Sequence, residues 1–492
     1  MRKLLIFFSA VALFALSCGR IEGDKSEHVY IISTNDIHAT IDALPHLATI
    51  IKEYETRGEV LLVDSGDRVT GNAYVDDARE PGIPLVKIMN ELGYDVATLG
   101  NHEFDKGSER LDAMLAAAEY QVVCANVEAL NGAIDPLEYT IVTLGGVDIG
   151  FVGVVDTDGG GRPLGGKSSY VNYTFTSDVD TAYEAYGKVA AKCDFVVLLS
   201  HMGRGADERL VERGATYDWI AGGHSHDLLS ADRESVHMSQ NNKNLRYVTV
   251  ADIEVRDGDI VGVAYEQLKT SEFAPDEAMV ARVEELKASD PELNTVEGVA
   301  TEYASKEGVA NFTIAALASY PYADGFVPEV TFYHYGGVRL DEFSQGNIKR
   351  ADILNNDPFV STIYVGRLTP EQMRDFILTK YNNGTAEAPD KESHYPYFRS
   401  DVPYTIVLED STEAEPDAVD VVFDLEPREY RVALCNYIAD NYIDSVIVAR
   451  QFVKTDITVR EAMLRYIRSF EGRGYKPDNE CRQREVKSDK GE

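Results

Sequence analysis

Five short stretches place residues that can hold a metal or move a proton just after hydrophobic runs. "STNDIH" (33–38) offers Asp36 and His38, and "DSGD" (64–67) offers Asp67. "LGNHEFDKG" (99–107) offers Asn101, His102 and Asp105. "SHMGRG" (200–205) offers His201, and "GGHSH" (222–226) offers His224 and His226. Each has a plain reading when taken alone. Asn101 can cap a helix, Asp67 beside Gly66 can shape a turn, and Asp105 can be a first-turn helix carboxylate. Taken together they carry five of the ten histidines, each at the end of a strand-like run. That edge of an α/β sheet is where ligands bind. In the His-x-His pair, the period of two on an extended segment points both rings one way. Mixed His, Asp and Asn donors suit borderline or harder divalent ions such as Zn, Mn or Fe, without choosing among them.

The elements that must position these residues alternate along residues 29–222. "VYIIST", "EVLLVD", "DVATLGN", "YQVVCANV", "FVVLLSH" and "DWIAGG" read as strands. "LPHLATIIKEYETRG", "PLVKIMNELG", "RLDAMLAAAE", "DVDTAYEAYGKVAAKC" and "DERLVERGA" read as helices. Hairpins at Gly145–Gly146 and Asp257–Gly258 argue for mixed rather than wholly parallel sheets. This is an α/β layered domain over 29–273. A charged amphipathic helix within 274–293 reads as a linker. A second α/β unit follows over 294–472, with an acidic surface loop at 409–420 and a polar, disordered tail at 473–492.

The N-terminus reads as a targeting segment. Arg2 and Lys3 precede about 13 apolar residues, the length of a signal-peptide core rather than a membrane span. Residues 1–18 end in Ser17–Cys18, similar to a bacterial lipobox, although Ala15 stands where Leu is usual; a plain signal peptide is the alternative. Lipidation of Cys18 would anchor the protein to the cell envelope through a tether at 19–28. Four further cysteines are too few for a disulfide framework, and a Cys435–Cys481 bridge is left open. A net charge of −36 disfavours nucleic-acid polymers, but a local site can invert that sign for a small anion.

The order D-x-H, GD, GNH(E), H, GH-x-H resembles the calcineurin-like metallophosphoesterase superfamily. "GNHEFD" with "DSGD", and a second domain carrying "GGVR" and "PF", resembles its bacterial 5′-nucleotidase/UDP-sugar hydrolase family. The resemblance implies a four-layer catalytic domain, mixed sheets between helices, and a C-terminal α/β substrate-binding domain. It assigns Asp36, His38, Asp67 and His226 to one divalent metal ion. It assigns Asp67, Asn101, His201 and His224 to a second, with Asp67 bridging. Many members of this family have Gln where His226 stands. Two such ions about 3.5–4 Å apart clamp a phosphoryl group and turn a shared water into a hydroxide nucleophile near neutral pH. The resemblance points His102 at the substrate's phosphoryl oxygens, with Asp105 holding its tautomer and proton. In the second domain it implies Arg339 as a substrate contact and Phe359 and Tyr437 as a clamp on a nucleobase. Ser361 stands where a base-binding Asn is usual, Lys306 replaces an Arg, and Asp440 or Asp444 is left for the ribose.

The activity so implied is removal of the 5′-phosphate from nucleotides, with nucleotide sugars as further substrates. An esterase acting on 2′,3′-cyclic nucleotides, or a sulfur-ester hydrolase on the same scaffold, is the enzymatic alternative. A surface lipoprotein that binds nucleotides without turnover would be expected to have lost a ligand, and none of the seven is missing.

Overall fold

The computed structural model describes residues 26–157, 161–163, 167–387, 398–410 and 416–488. The signal segment 1–18, Cys18 and residues 19–25 of the tether lie outside the described residues.

The first domain is built on two six-stranded sheets. In the first, β1 (Glu27–Thr34), β2 (Glu59–Asp64), β3 (Tyr94–Ala97) and β4 (Gln121–Val122) run parallel. The hairpin Tyr247–Arg256/Asp259–Lys269 closes that sheet antiparallel beside β1. The second sheet has parallel strands Val147–Val155, Phe195–His201, Trp219–Gly222 and Val236–Asn241, flanked by antiparallel edges.

Alternation along each strand assigns its faces. Val29, Ile31, Leu61 and Val63 pack between the sheets against Phe151, Val197, Leu199 and Trp219. Their neighbours Tyr30, Ile32 and Leu62 face outward onto Leu47, Ile51, Leu85 and Met89 of the covering helices. On the far side Val152, Val196 and Leu198 meet Ala182, Val189 and Leu210. The result is four layers, helix–sheet–sheet–helix, with every parallel strand ending at one edge.

The helix Glu277–Ala288, read as a linker, is docked: Met279 and Val283 join the core that α1 (Leu44–Glu55) covers. Asp276 caps it by accepting the Met279 N–H at 3.0 Å. The second domain has a five-stranded mixed sheet in which Val330–His334 and Thr362–Leu368 flank Tyr430–Cys435. Across the domain boundary, Tyr74 Oη donates to Asn294 at 2.8 Å, Arg460 pairs with Asp77 at 2.9 Å, and Arg246 pairs with Asp341 at 3.3 Å.

Two expectations need correction, and the open question of a Cys435–Cys481 bridge is answered. The tail is not disordered up to residue 488: Tyr475 is buried in the second core, and Gln483–Lys487 runs parallel to Tyr404–Leu408. Its strand "QREVK" buries only Gln483, so it shows no apolar alternation, and its charges suit an exposed sheet edge. The acidic loop ends early, because Ala418–Phe423 is a strand. Cys435 and Cys481 do not pair. All four described cysteines are free, with Cys435 buried and Cys481 exposed.

Candidate active site

The loops that leave β1, β2 and β3 are laced together by their backbones. Asp36 N–H donates to Gly66 O at 3.0 Å, and His38 N–H to Asp67 O at 3.0 Å. Two glycines allow the approach. A Cβ on Gly66, which sits at φ +89°, would stand 2.6 Å from Gly100 N; one on Gly100 would stand 2.2 Å from Asp67 Oδ1. The glycine before Asp67 and the glycine before Asn101 therefore exist for one another.

Asp36 and His201 are 0% exposed, and His38, Asp67 and Asn101 are buried. Asp36, His38 and His226 converge: His226 Nε2 is 3.4 Å from Asp36 Oδ1 and 3.0 Å from His38 Nε2. Asp67, His201 and His224 form a second group, with His201 Nε2 3.1 Å from Asp67 Oδ2 and His224 Nδ1 3.0 Å from Asn101 Oδ1. Asp67 also lies with His38 and His102 in a third group, so it stands between the first two. All seven donors expected from the sequence thus come together.

The backbone is strained at these donors. Asp36, His38, Asp67, His224 and His226 have φ between +46° and +74°, a region that non-glycine residues enter at a cost. Burial holds His224 and His226 down to about 4, so each is neutral and can offer a lone pair. Burial also disfavours charge on His201, but the Asp67 and Asp36 carboxylates outweigh it and hold its proton up to about 10. A cation would displace that proton. Strained, convergent, mostly neutral nitrogen donors around two carboxylates fit divalent ions, and the donor set alone does not choose among Zn, Mn and Fe.

His102 stands beside this cluster. Its Nδ1 is 2.7 Å from Asp105 Oδ2, its Nε2 is 3.8 Å from Asp67 Oδ2, and Thr70 Oγ1 donates to Asp105 at 2.8 Å. Burial opposes charge here too, but Asp67 and Asp105 raise the imidazole to about 9, so it is protonated at neutral pH.

From the second domain, the Phe359 ring lies 6.0 Å from the His102 ring, with the Arg339 guanidinium 5.3 Å from Phe359. Tyr437 instead stacks on His334 at 4.1 Å and shares a hydrogen bond with the Tyr442 hydroxyl. The structure therefore brings Phe359 and Arg339 against the histidine cluster and Tyr437 against His334. Ser361 bonds Asp357, and Asp444 caps the helix Ser445–Gln451, which leaves Asp440 exposed beside Tyr364. Lys306 and Arg339 line a small cleft beside His38, joined by Lys243 of the first domain and by Asp341.

Sequence reasoning passed over Glu103. It is 1% exposed and accepts backbone N–H groups from Asp67 (3.0 Å), Arg68 (2.9 Å) and Gly100 (2.6 Å). Its one visible signal was an acid wedged between His102 and the buried Phe104. Lys243 was missed as well, since nothing local marks a lysine in "QNNKN".

Comparison with known families matches residues 29–228 to the calcineurin-like phosphoesterase domain and residues 286–444 to the 5′-nucleotidase C-terminal domain. The chain is 26% identical over 475 residues to the trifunctional nucleotide phosphoesterase protein YfkN of Bacillus subtilis, covering 83% of this chain and 31% of that one. It is 28% identical over 226 residues to the snake venom 5′-nucleotidase of Gloydius brevicauda, covering 40% and 37%. The chain thus spans roughly a third of the length of these two relatives. The fold is shared with the 5′-nucleotidase precursor from Thermus thermophilus at a TM-score of 0.74 and 20% identity, covering 93% of this chain and 99% of that one. With both domain types present in that order, the chain joins a calcineurin-like phosphoesterase domain to a 5′-nucleotidase C-terminal domain, the make-up of a phosphoester hydrolase.

Proposed function

We propose that the protein hydrolyses phosphoesters of nucleotides, releasing the 5′-phosphate, with nucleotide sugars as further substrates. The observation that carries this reading is the position of His102, between the cluster of donors and the second domain's Phe359 at 6.0 Å. Asp36, His38 and His226 would hold one divalent ion, and Asn101, His201 and His224 the other, with Asp67 shared. When bound, such ions polarise the phosphoryl group and activate water for in-line attack. His102, its Nδ1–H bonded to Asp105, presents Nε2–H toward Asp67 and so toward the phosphoryl oxygens, where charge builds in the transition state. Arg339 and Phe359 orient the substrate from the opposite wall, the ring offering a face to a planar base. The cations Lys243, Lys306 and Arg339 make the cleft attractive to an anion on a strongly acidic protein.

The test is phosphate release by the chain without residues 1–18, supplied with Mn²⁺ or Zn²⁺. Substrates are AMP, UDP-glucose, 2′,3′-cyclic AMP and an aryl phosphate. Turnover of AMP that His102→Ala abolishes supports the reading. Turnover of the aryl phosphate alone removes the nucleotide assignment, and turnover of the cyclic ester alone replaces it. Lipid anchoring in the envelope is proposed from residues 1–18. Labelling with a radioactive fatty acid that persists in Cys18→Ser would refute it.

A further inference from the structure

Asp156 follows directly on the strand Val147–Val155, whose neighbour is the strand ending in His201. The pairing sets Val155 opposite His201, and Asp156 N–H donates to His201 O at 2.9 Å. This carboxylate therefore stands at the same sheet edge as the metal donors, yet no motif contains it. It is 7% exposed, and its Oδ2 lies 3.8 Å from His224 Nε2. The other nitrogen of that ring, Nδ1, faces inward, 3.0 Å from Asn101 Oδ1. His224 thus has one nitrogen turned to the cluster and one turned to Asp156.

A neutral imidazole that offers its lone pair through Nδ1 carries its proton on Nε2. That proton needs an acceptor, and the acceptor decides the tautomer and raises the donor strength of the ring. His201 meets the same need in mirror image: its Nδ1–H donates to Ser65 O at 2.7 Å, freeing Nε2 for the cluster. The carbonyl that serves His201 is replaced, at His224, by a carboxylate.

We propose that Asp156 is a positioning residue for the second metal position: it accepts the Nε2–H of His224 and so presents Nδ1 to the ion. The inference rests on the metal-dependent reading above. A small rotation of either side chain brings the 3.8 Å separation to hydrogen-bond length.

The test is calorimetric titration of the chelator-stripped protein with Mn²⁺, beside thermal unfolding of the same metal-free samples. The variants are Asp156→Ala, Asp156→Asn and, as a marker of the second position, His224→Ala. The unaltered protein is expected to take up two equivalents. Asp156→Ala should weaken by about 10–100-fold the same equivalent that His224→Ala removes. Asp156→Asn, which keeps an acceptor but not the charge, should fall between. The metal-free melting temperatures of the Asp156 variants should stay close to that of the unaltered protein. Two unchanged equivalents in Asp156→Ala would overturn the proposal and leave the metal-dependent reading intact. Loss of both equivalents together with a lowered metal-free melting temperature would also overturn it, since that marks a structural role. No uptake by the unaltered protein would overturn both.

Discussion

Glu103→Gln is the perturbation from which most can be learned, because Glu103 ties the loop of Asp67 to the loop of Asn101. Its Oε2 accepts the N–H groups of Asp67 and Gly100, and its Oε1 that of Arg68. Arg68 is itself buried, with Nε 3.2 Å from Asp64 Oδ1 and 3.9 Å from Glu103 Oε1. Gln keeps the size but replaces one acceptor oxygen with an NH₂ group that faces backbone donors. A hydrogen bond to a charged group contributes about 1.5–3 kcal/mol. Breaking a buried ion pair from one side costs about 3–5 kcal/mol. The two overlap, because the same carboxylate serves both, so the expected loss is about 3–5 kcal/mol rather than their sum. In a domain of this size that lowers the melting temperature by about 6–20 °C. Circular dichroism melts of the metal-free protein measure it, with metal content by elemental analysis. Metal content should also fall, since Asp67 and Asn101 lose their shared anchor. A loss under about 1 kcal/mol with full metal content would refute the clamp, and with it the account of why the two loops meet.

Further outcomes follow from the same geometry. His102→Ala should lower kcat by about 10²–10³-fold while leaving metal content unchanged, as expected of a donor to developing charge; a fall in metal content would make it a ligand instead. Asp105→Asn removes one of the two carboxylates that hold His102 protonated to about 9. The alkaline limb of kcat/KM should therefore move to lower pH, and an unmoved limb would show that the dyad does not set it. Asp207, buried and bonded to Ser200, has its carboxyl pushed by burial from 3.8 to about 7. The folded state then keeps a proton that the unfolded chain has lost between those values. Stability should fall as pH rises through that window, by up to about 4 kcal/mol, and remain lower above it. Asp207→Asn should flatten this slope, which urea unfolding at pH 4, 5.5 and 8 would detect; parallel curves would refute the assignment.

Much of the site was legible because its pattern is local. A strand needs a hydrophobic run, and the residue just past it stands at the sheet edge, so "STNDIH", "DSGD", "GNHEFD", "SHMGRG" and "GGHSH" mark their own positions. The paired glycines at 66 and 100 could be seen but not explained until their mutual approach was known. The second domain was harder to read. Phe359 and Tyr437 are both aromatics near strand ends, yet one meets His102 and the other His334. The strand Gln483–Lys487 was read as a tail because an edge strand with both faces near solvent needs no apolar alternation.

The sequence by itself determined the layered α/β class and marked the seven candidate donors and the His102–Asp105 pair, because each mark stands within a few residues of a strand end. Only the tertiary structure decided that Glu103 clamps two loops, that Asp156 stands behind His224, and that Lys243 shares a cleft with Arg339. Those contacts join residues brought together by strand order and domain packing. A side chain's chemistry there is set by neighbours far away in the chain, and no local pattern carries that information.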